Sequence, residues 1–157
     1  MQTRLTLIVV IILFLIWSPA ATAGEFYGTV TRVSDGDTIT VTVGSERVVI
    51  RLYGIDAPES SQEFGLEATR ALSAAILGKV VRVVSNGVDH YGRTIGVVFY
   101  SRVDMNRLML LNGLAWHYKQ YSKDPEYALA ESQARMELKG LWGTDNPTPP
   151  WVFRRKK

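Results

Sequence analysis

From residue 26 onward, the alternation of apolar and polar positions divides the chain into strands followed by helices. Phe26 to Val33 carries β-branched and aromatic residues in loose alternation. Thr38 to Val43 alternates strictly, which buries one face of a strand and leaves the other polar. Gly44-Ser45 reads as a two-residue turn, and Glu46 to Ile55 continues as the third strand of a meander whose first turn is Asp35-Gly36. Pro58 ends that run, and Ser60 or Ser61 is placed to cap the next helix. Phe64, Leu66, Ala68, Ala71, Leu72, Ala75 and Ile76 then recur at helical spacing up to Gly78. Val80 to Val84 and Ile95 to Tyr100 are the next strands. Met105 to Leu111 and Pro125 to Leu138 are two more helices, the second opened by proline and followed by Gly140. Pro147 to Pro150 reads as a structureless exit. This order predicts an α+β domain: a five-stranded, partly open β-barrel of the oligonucleotide/oligosaccharide-binding (OB) type with three packed α-helices.

The N-terminus follows a different pattern. Arg4 precedes an uninterrupted apolar stretch from Leu5 to Trp17, and Ala21-Thr22-Ala23 has the small residues of a cleavage site. That stretch falls short of the roughly 20 residues that cross a bilayer as a helix. Residues 1–23 are therefore expected to be a cleaved signal peptide, making the protein secreted or periplasmic. An uncleaved anchor, the one foreseen membrane contact, is the alternative. Residues 24–145 would form the domain and 146–157 a Pro-rich, basic tail.

Composition narrows the chemistry. The 157-residue chain has no cysteine, so an exported domain would rest on its core and any bound metal rather than on disulfides. With only His90 and His117 as nitrogen donors, a structural zinc site is not expected. The net charge of +3 is mild, and much of it lies in Arg154-Arg155-Lys156-Lys157, read as a solvated chain end. Bulk charge makes no case for a nucleic-acid partner; local arrangement has to.

Three short runs make that case. In Asp35-Gly36-Asp37-Thr38, Asp35 is ordinary turn chemistry, whereas Asp37 opens a strand where no turn demands an acid. In Arg51 to Glu59, Arg51 sits among Val48, Val49, Ile50 and Leu52, where a charge is costly unless paired. Asp56 and Glu59 flank Ala57-Pro58, and the proline pre-sets the local backbone so that both acids can face one spot. In Asp89-His90-Tyr91-Gly92-Arg93, Gly92 is a turn residue, Tyr91 can stack on a base or sugar, and Arg93 offers a second guanidinium. Carboxylates suit a hard cation, and arginine forks clamp a phosphate bidentately. Further on, Tyr118, Lys119 and Tyr121 can form a stacking and phosphate-binding wall, while Trp116 reads as core.

The three runs, in this order, resemble the staphylococcal nuclease-like (thermonuclease) domain over roughly Phe26 to Trp142. In that family an Asp-Gly-Asp-Thr motif supplies a metal ligand, matched by Asp37. Its Arg-x-x-x-x-Asp-x-Pro-Glu motif is matched by Arg51, Asp56, Pro58 and Glu59, and its Tyr-Gly-Arg motif by Tyr91, Gly92 and Arg93. The resemblance implies a calcium-dependent endonuclease acting on DNA and RNA with little sequence specificity, cleaving at the 5′ side to leave 3′-phosphates. It implies Asp37, Asp56 and the carbonyl of Ala57 as metal ligands, with Arg51, Glu59 and Arg93 as catalytic groups. The chain departs from the best-known pattern at Ala57, where threonine is usual, and at His90, where lysine is common. The family's stacking tyrosine aligns with either Tyr118 or Tyr121. A monomer without a stable protein partner is expected. The competing class is a non-catalytic OB-fold binding module, which has no use for a water-activating acid beside two arginines.

Overall fold

In the computed structural model, which describes residues 24–156, β1 (Glu25–Asp35) lies between β2 (Thr38–Val43) and β5 (Val80–Val88), antiparallel to both. β2 continues the meander into β3 (Glu46–Leu52), and β5 into β6 (Thr94–Tyr100). β3 and β6 then pair in parallel, Ile50 opposite Thr94 and Arg51 opposite Ile95, so the five strands close on themselves. Closure removes the exposed edges that an open sheet would carry. A two-residue strand, β7 (Val103–Asp104), folds back to pair antiparallel with the end of β6. The signal-peptide reading of residues 1–23 lies outside the described residues.

The alternating residues fill the barrel: Val30, Ile39, Val41, Ile50, Leu52, Val81, Val83 and Val98 are all at most 1% exposed. Helix α1 (Gly65–Ile76) seals one side with Ala68, Leu72 and Ile76, the face its spacing predicts. Helix α2 (Met105–Leu111) is capped by Asp104, whose carboxylate accepts the Arg107 amide. Helix α3 (Pro125–Met136) is capped by Asp124. It stops two residues before the expected Leu138, which takes a left-handed φ of 51°.

Three expectations need correction. The third strand ends at Leu52, because Gly54 adopts a φ of 74° and turns the chain away from the barrel. Residues Ile55–Asp56 then form a separate short strand, β4, which pairs with β8 (Trp116–His117). The apolar run through Ile55 conceals that break. Neither Ser60 nor Ser61 caps α1; its N-cap is Phe64, since residues 59 to 64 are held in successive turns. Nor is the exit after residue 146 structureless throughout. Pro150 opens a one-turn helix, α4 (Pro150–Phe153), followed by a 3-10 turn at Arg154–Lys156. Trp151 of α4 packs on a second small core of Trp116, Ala134, Leu141 and Trp142.

Candidate active site

Asp37 and Asp56 are 1% and 0% exposed, and two such acids can be ionised in the interior only with partners. Strand register supplies one. Arg51 lies opposite Thr38 across β2–β3, one residue from Asp37. Its Nη1 donates to Asp37 Oδ1, and its Nη2 to Asp56 Oδ1 at 2.7 Å, so one guanidinium ties the start of β2 to β4. Asp37 Oδ2 accepts the Ala57 amide at 2.6 Å, and Oδ1 also accepts the Thr38 hydroxyl. The acid is thereby fixed against the turn that carries Glu59.

Two glycines make this approach possible through their missing side chains. A Cβ on Gly36 would press into Ala57 and Ala68, so the β1–β2 turn tucks between α1 and the Asp56 loop. Gly36 is needed there for space, with its φ on the ordinary side. A Cβ on Gly65 would collide with the Glu59 carbonyl. Asparagine completes the support: buried Asn106 donates to the carbonyls of Tyr53 and Gly96 and accepts the Val98 amide. It anchors α2 to β6 and to the turn that delivers Asp56.

An unexpected cation joins the acids. Arg154 binds Asp56 fork to fork, Nη1 to Oδ1 at 3.1 Å and Nη2 to Oδ2 at 2.8 Å, and Nη1 reaches Glu59 Oε1 at 2.8 Å. These bonds, foremost the one to Asp56, raise its pKa further above the usual arginine range. Reading the tail as a solvated terminus is thus wrong for Arg154. The readable signal was proline at a helix start followed by Trp151 and Arg154 three residues apart, on one face. Asp56 is opposite Trp116 in the β4–β8 pair, and Trp151 packs on Trp116 at 5.6 Å, so Arg154 lands on Asp56.

Arg93 stands apart. Its Nε donates to Asp89 Oδ2 at 2.8 Å, its amide to Asp89 Oδ1, and its guanidinium lies 5.4 Å from the Tyr91 ring centre. Burial works against the Asp89 charge, but bonds from Arg93 and the Tyr91 amide outweigh it and hold the carboxyl below its usual range. Four of the five expected groups therefore meet in one hydrogen-bonded cluster, linked by two arginines. The fifth is held in its own loop.

Comparison with known proteins decides the affiliation. The family described as "Staphylococcal nuclease homologue" matches residues 49–144, well over half the chain. The chain belongs to the staphylococcal nuclease family. A protein of Haemophilus influenzae named "Uncharacterized endonuclease" is 43% identical over 129 residues, covering 82% of this chain and 72% of that one. An "Uncharacterized endonuclease" of Escherichia coli O157:H7 is 38% identical over 148 residues, covering 94% and 96%. The "Micrococcal nuclease" of Shigella flexneri is 39% identical over 142 residues, covering 83% and 82%.

Within this staphylococcal nuclease domain, the four expected substrate-binding residues differ in what already holds them. Tyr91 is 74% exposed, against the His90 ring at 3.8 Å. Tyr118 is stacked parallel on Trp151 at 5.4 Å, and Tyr121 meets its edge at 4.8 Å. Lys119 pairs at 3.2 Å with Glu131, an acid only 3% exposed that also accepts from Arg135 and the His117 amide. Lys119 thus serves the fold by neutralising a buried carboxylate. His117 is buried beside it, and burial lowers its pKa.

Proposed function

We propose that this protein is an exported, calcium-dependent endonuclease that hydrolyses phosphodiester bonds of DNA and RNA with little sequence preference. The observation that carries the reading is the buried Asp37–Arg51–Asp56 bridge with Glu59 beside it, in a barrel whose relatives bear nuclease names. Among the described residues no group of three or more His, Asp or Glu side chains assembles as metal ligands. The donors that are present are nevertheless oxygens, as a hard cation prefers. Asp37, Asp56 and the Ala57 carbonyl would hold calcium, with water in the remaining positions. Bound there, the cation would supply charge stabilisation for the phosphoryl oxygens.

The chain's own groups do the rest. Glu59 takes a proton from the attacking water, whose oxygen bonds to phosphorus. The bond from phosphorus to the 5′ oxygen breaks, that oxygen takes a proton from solvent water, and the proton on Glu59 returns to solvent. Arg51 presents its fork to the charge that grows on the phosphoryl oxygens, and Arg93, released from Asp89, adds to it or assists the leaving group. Tyr91, Tyr118 and Tyr121 offer ring faces and no base-edge readers, which fits broad sequence tolerance.

Incubation with single-stranded DNA plus calcium should give cleavage that a chelator abolishes. Binding without cleavage under both conditions would replace the enzyme with a binding module. Export rests on Arg4, the Leu5–Trp17 apolar stretch and Ala21-Thr22-Ala23. A mature mass that begins at Gly24 tests it.

A further inference from the structure

Two contacts made by the C-terminal segment fall on the two kinds of surface that the proposed reaction needs free. Asp56 Oδ1 is shared by Arg51 and Arg154, and its Oδ2 is taken by Arg154. Arg154 also holds Oε1 of Glu59, the group assigned to the attacking water. Three residues earlier on the same turn, Trp151 lies on the face of Tyr118, with an interplanar angle of 1° and ring centres 5.4 Å apart. A base sandwiched between two rings would need them about twice the ~3.5 Å contact distance apart, so this stack leaves no room for one. The segment thus stands where a cation would sit and where a base would stack.

Charge points the same way. Asp37, Asp56 and Glu59 against Arg51 and Arg154 leave one net negative charge; with Arg154 withdrawn, the surplus doubles to what a divalent cation neutralises. The attachment is also light. Arg154 is 41% exposed at its side chain, and α4 is a single turn tied back through Trp151 on Trp116 and through Gln62 Nε2 donating to the Thr148 carbonyl.

We propose that Pro150–Arg154 is an autoinhibitory strap: Arg154 holds the cation's place on Asp56 while Trp151 holds a nucleobase's place on Tyr118, and loading of the site lifts both. This rests on the calcium reading above, and its test separates the two. Calcium binding is measured by titration calorimetry, without nucleic acid, on the protein and on Arg154→Ala. A strap closed nine-tenths of the time weakens apparent affinity tenfold, so Arg154→Ala should bind calcium about tenfold tighter. In the unaltered protein, calcium should speed hydrogen exchange at the amides of Val152 and Phe153, which bond to the Pro149 carbonyl. Trp151→Ala, which touches none of the acids, should tighten calcium in the same direction and serves if Arg154→Ala fails to fold. Equal affinity in all three proteins overturns the strap and leaves the calcium site intact. Weaker binding in Arg154→Ala also overturns it, making Arg154 a positioning residue for the acids. Absence of calcium binding in every protein overturns the strap together with the reading it rests on.

Discussion

Arg51 and Arg93 are the same side chain, one inside a barrel strand and one in the loop that leads into the strand beside it, and expected to do related work, yet their surroundings are opposites. Arg51 is inside β3, with 19% of its side chain exposed, and spans two acids from different elements. Arg93 leaves the foot of β6, about two residues short of Arg51 in the parallel register, and is held by an acid four residues before it in the same loop. The first is fixed by long-range architecture and the second by its own turn. A guanidinium of the first kind is part of both the fold and the site. One of the second kind is stored close by, and leaving Asp89 costs it little.

Substitution of each by lysine puts that contrast to its hardest test. Arg51→Lys should lower turnover by about 100-fold or more, since a point charge cannot bridge two carboxylates and a phosphate as a fork does. It should also reduce the unfolding free energy by about 3 kcal/mol, because a buried acid loses its partner. Arg93→Lys should cost turnover by a similar factor with almost no change in melting temperature, as a part-exposed loop pair contributes about 1 kcal/mol at most. Equal losses of stability in the two variants would erase the distinction. Near-unaltered turnover in both would remove the arginines from the chemistry.

The contrast also marks what could be read from the chain. Strand period and turn residues located β1, β2, β5 and β6, and the apolar spacing located α1 and α2 with little error. Asp37, Arg51 and Asp56 were legible because a charge inside a strand pattern must have a partner, and register makes the partner near. Arg93's pairing with Asp89 was not, since one acid and one base in a flexible-looking loop can face any way. Arg154 was the largest miss. Its position depends on Trp151 meeting Trp116, a contact between residues 35 positions apart that no local period encodes. Buried Asn106 was missed for the same reason: within α2 it is one polar residue, and its meaning lies in the β6 and Tyr53 groups it satisfies.

A smaller effect sharpens the comparison from the side of the acids. Gly65→Ala should push the Glu59 carbonyl away from the start of α1, costing about 1–3 kcal/mol of stability. Glu59 would then be misplaced, so turnover should fall further than calcium affinity, because Arg51 still bridges Asp37 and Asp56 and the turn reaches Asp37 through the Ala57 amide alone. Asn106→Ala, which takes the side-chain partner from the Val98 amide and the Tyr53 carbonyl while Gly96 keeps the Tyr53 amide, should lose a comparable amount of stability. Loss of calcium affinity in Gly65→Ala at unaltered turnover would show that the Glu59 turn shapes the metal site instead.

The smallest effect concerns the strand pair beneath Asp56. His117 lies in β8 opposite Ile55, 4% exposed, and among the described residues neither ring nitrogen has a hydrogen-bond partner. Burial lowers its pKa from the ordinary value of about 6.5, outweighing the attraction of Glu131. The folded protein therefore keeps His117 neutral while the unfolded chain takes up a proton below about pH 6.5. The resulting stability is complete above that pH and is lost as the pH falls toward the depressed value, by about 1.4 kcal/mol for each unit between the two. Melting temperatures of the protein and of His117→Asn, compared at pH 7.5 and 5.5, isolate this contribution from the carboxylates that titrate lower. The variant should show the shallower fall. An identical fall in both would mean that His117 carries its proton inside the fold, paired with Glu131, and that the β4–β8 floor of the site is an ionic structure.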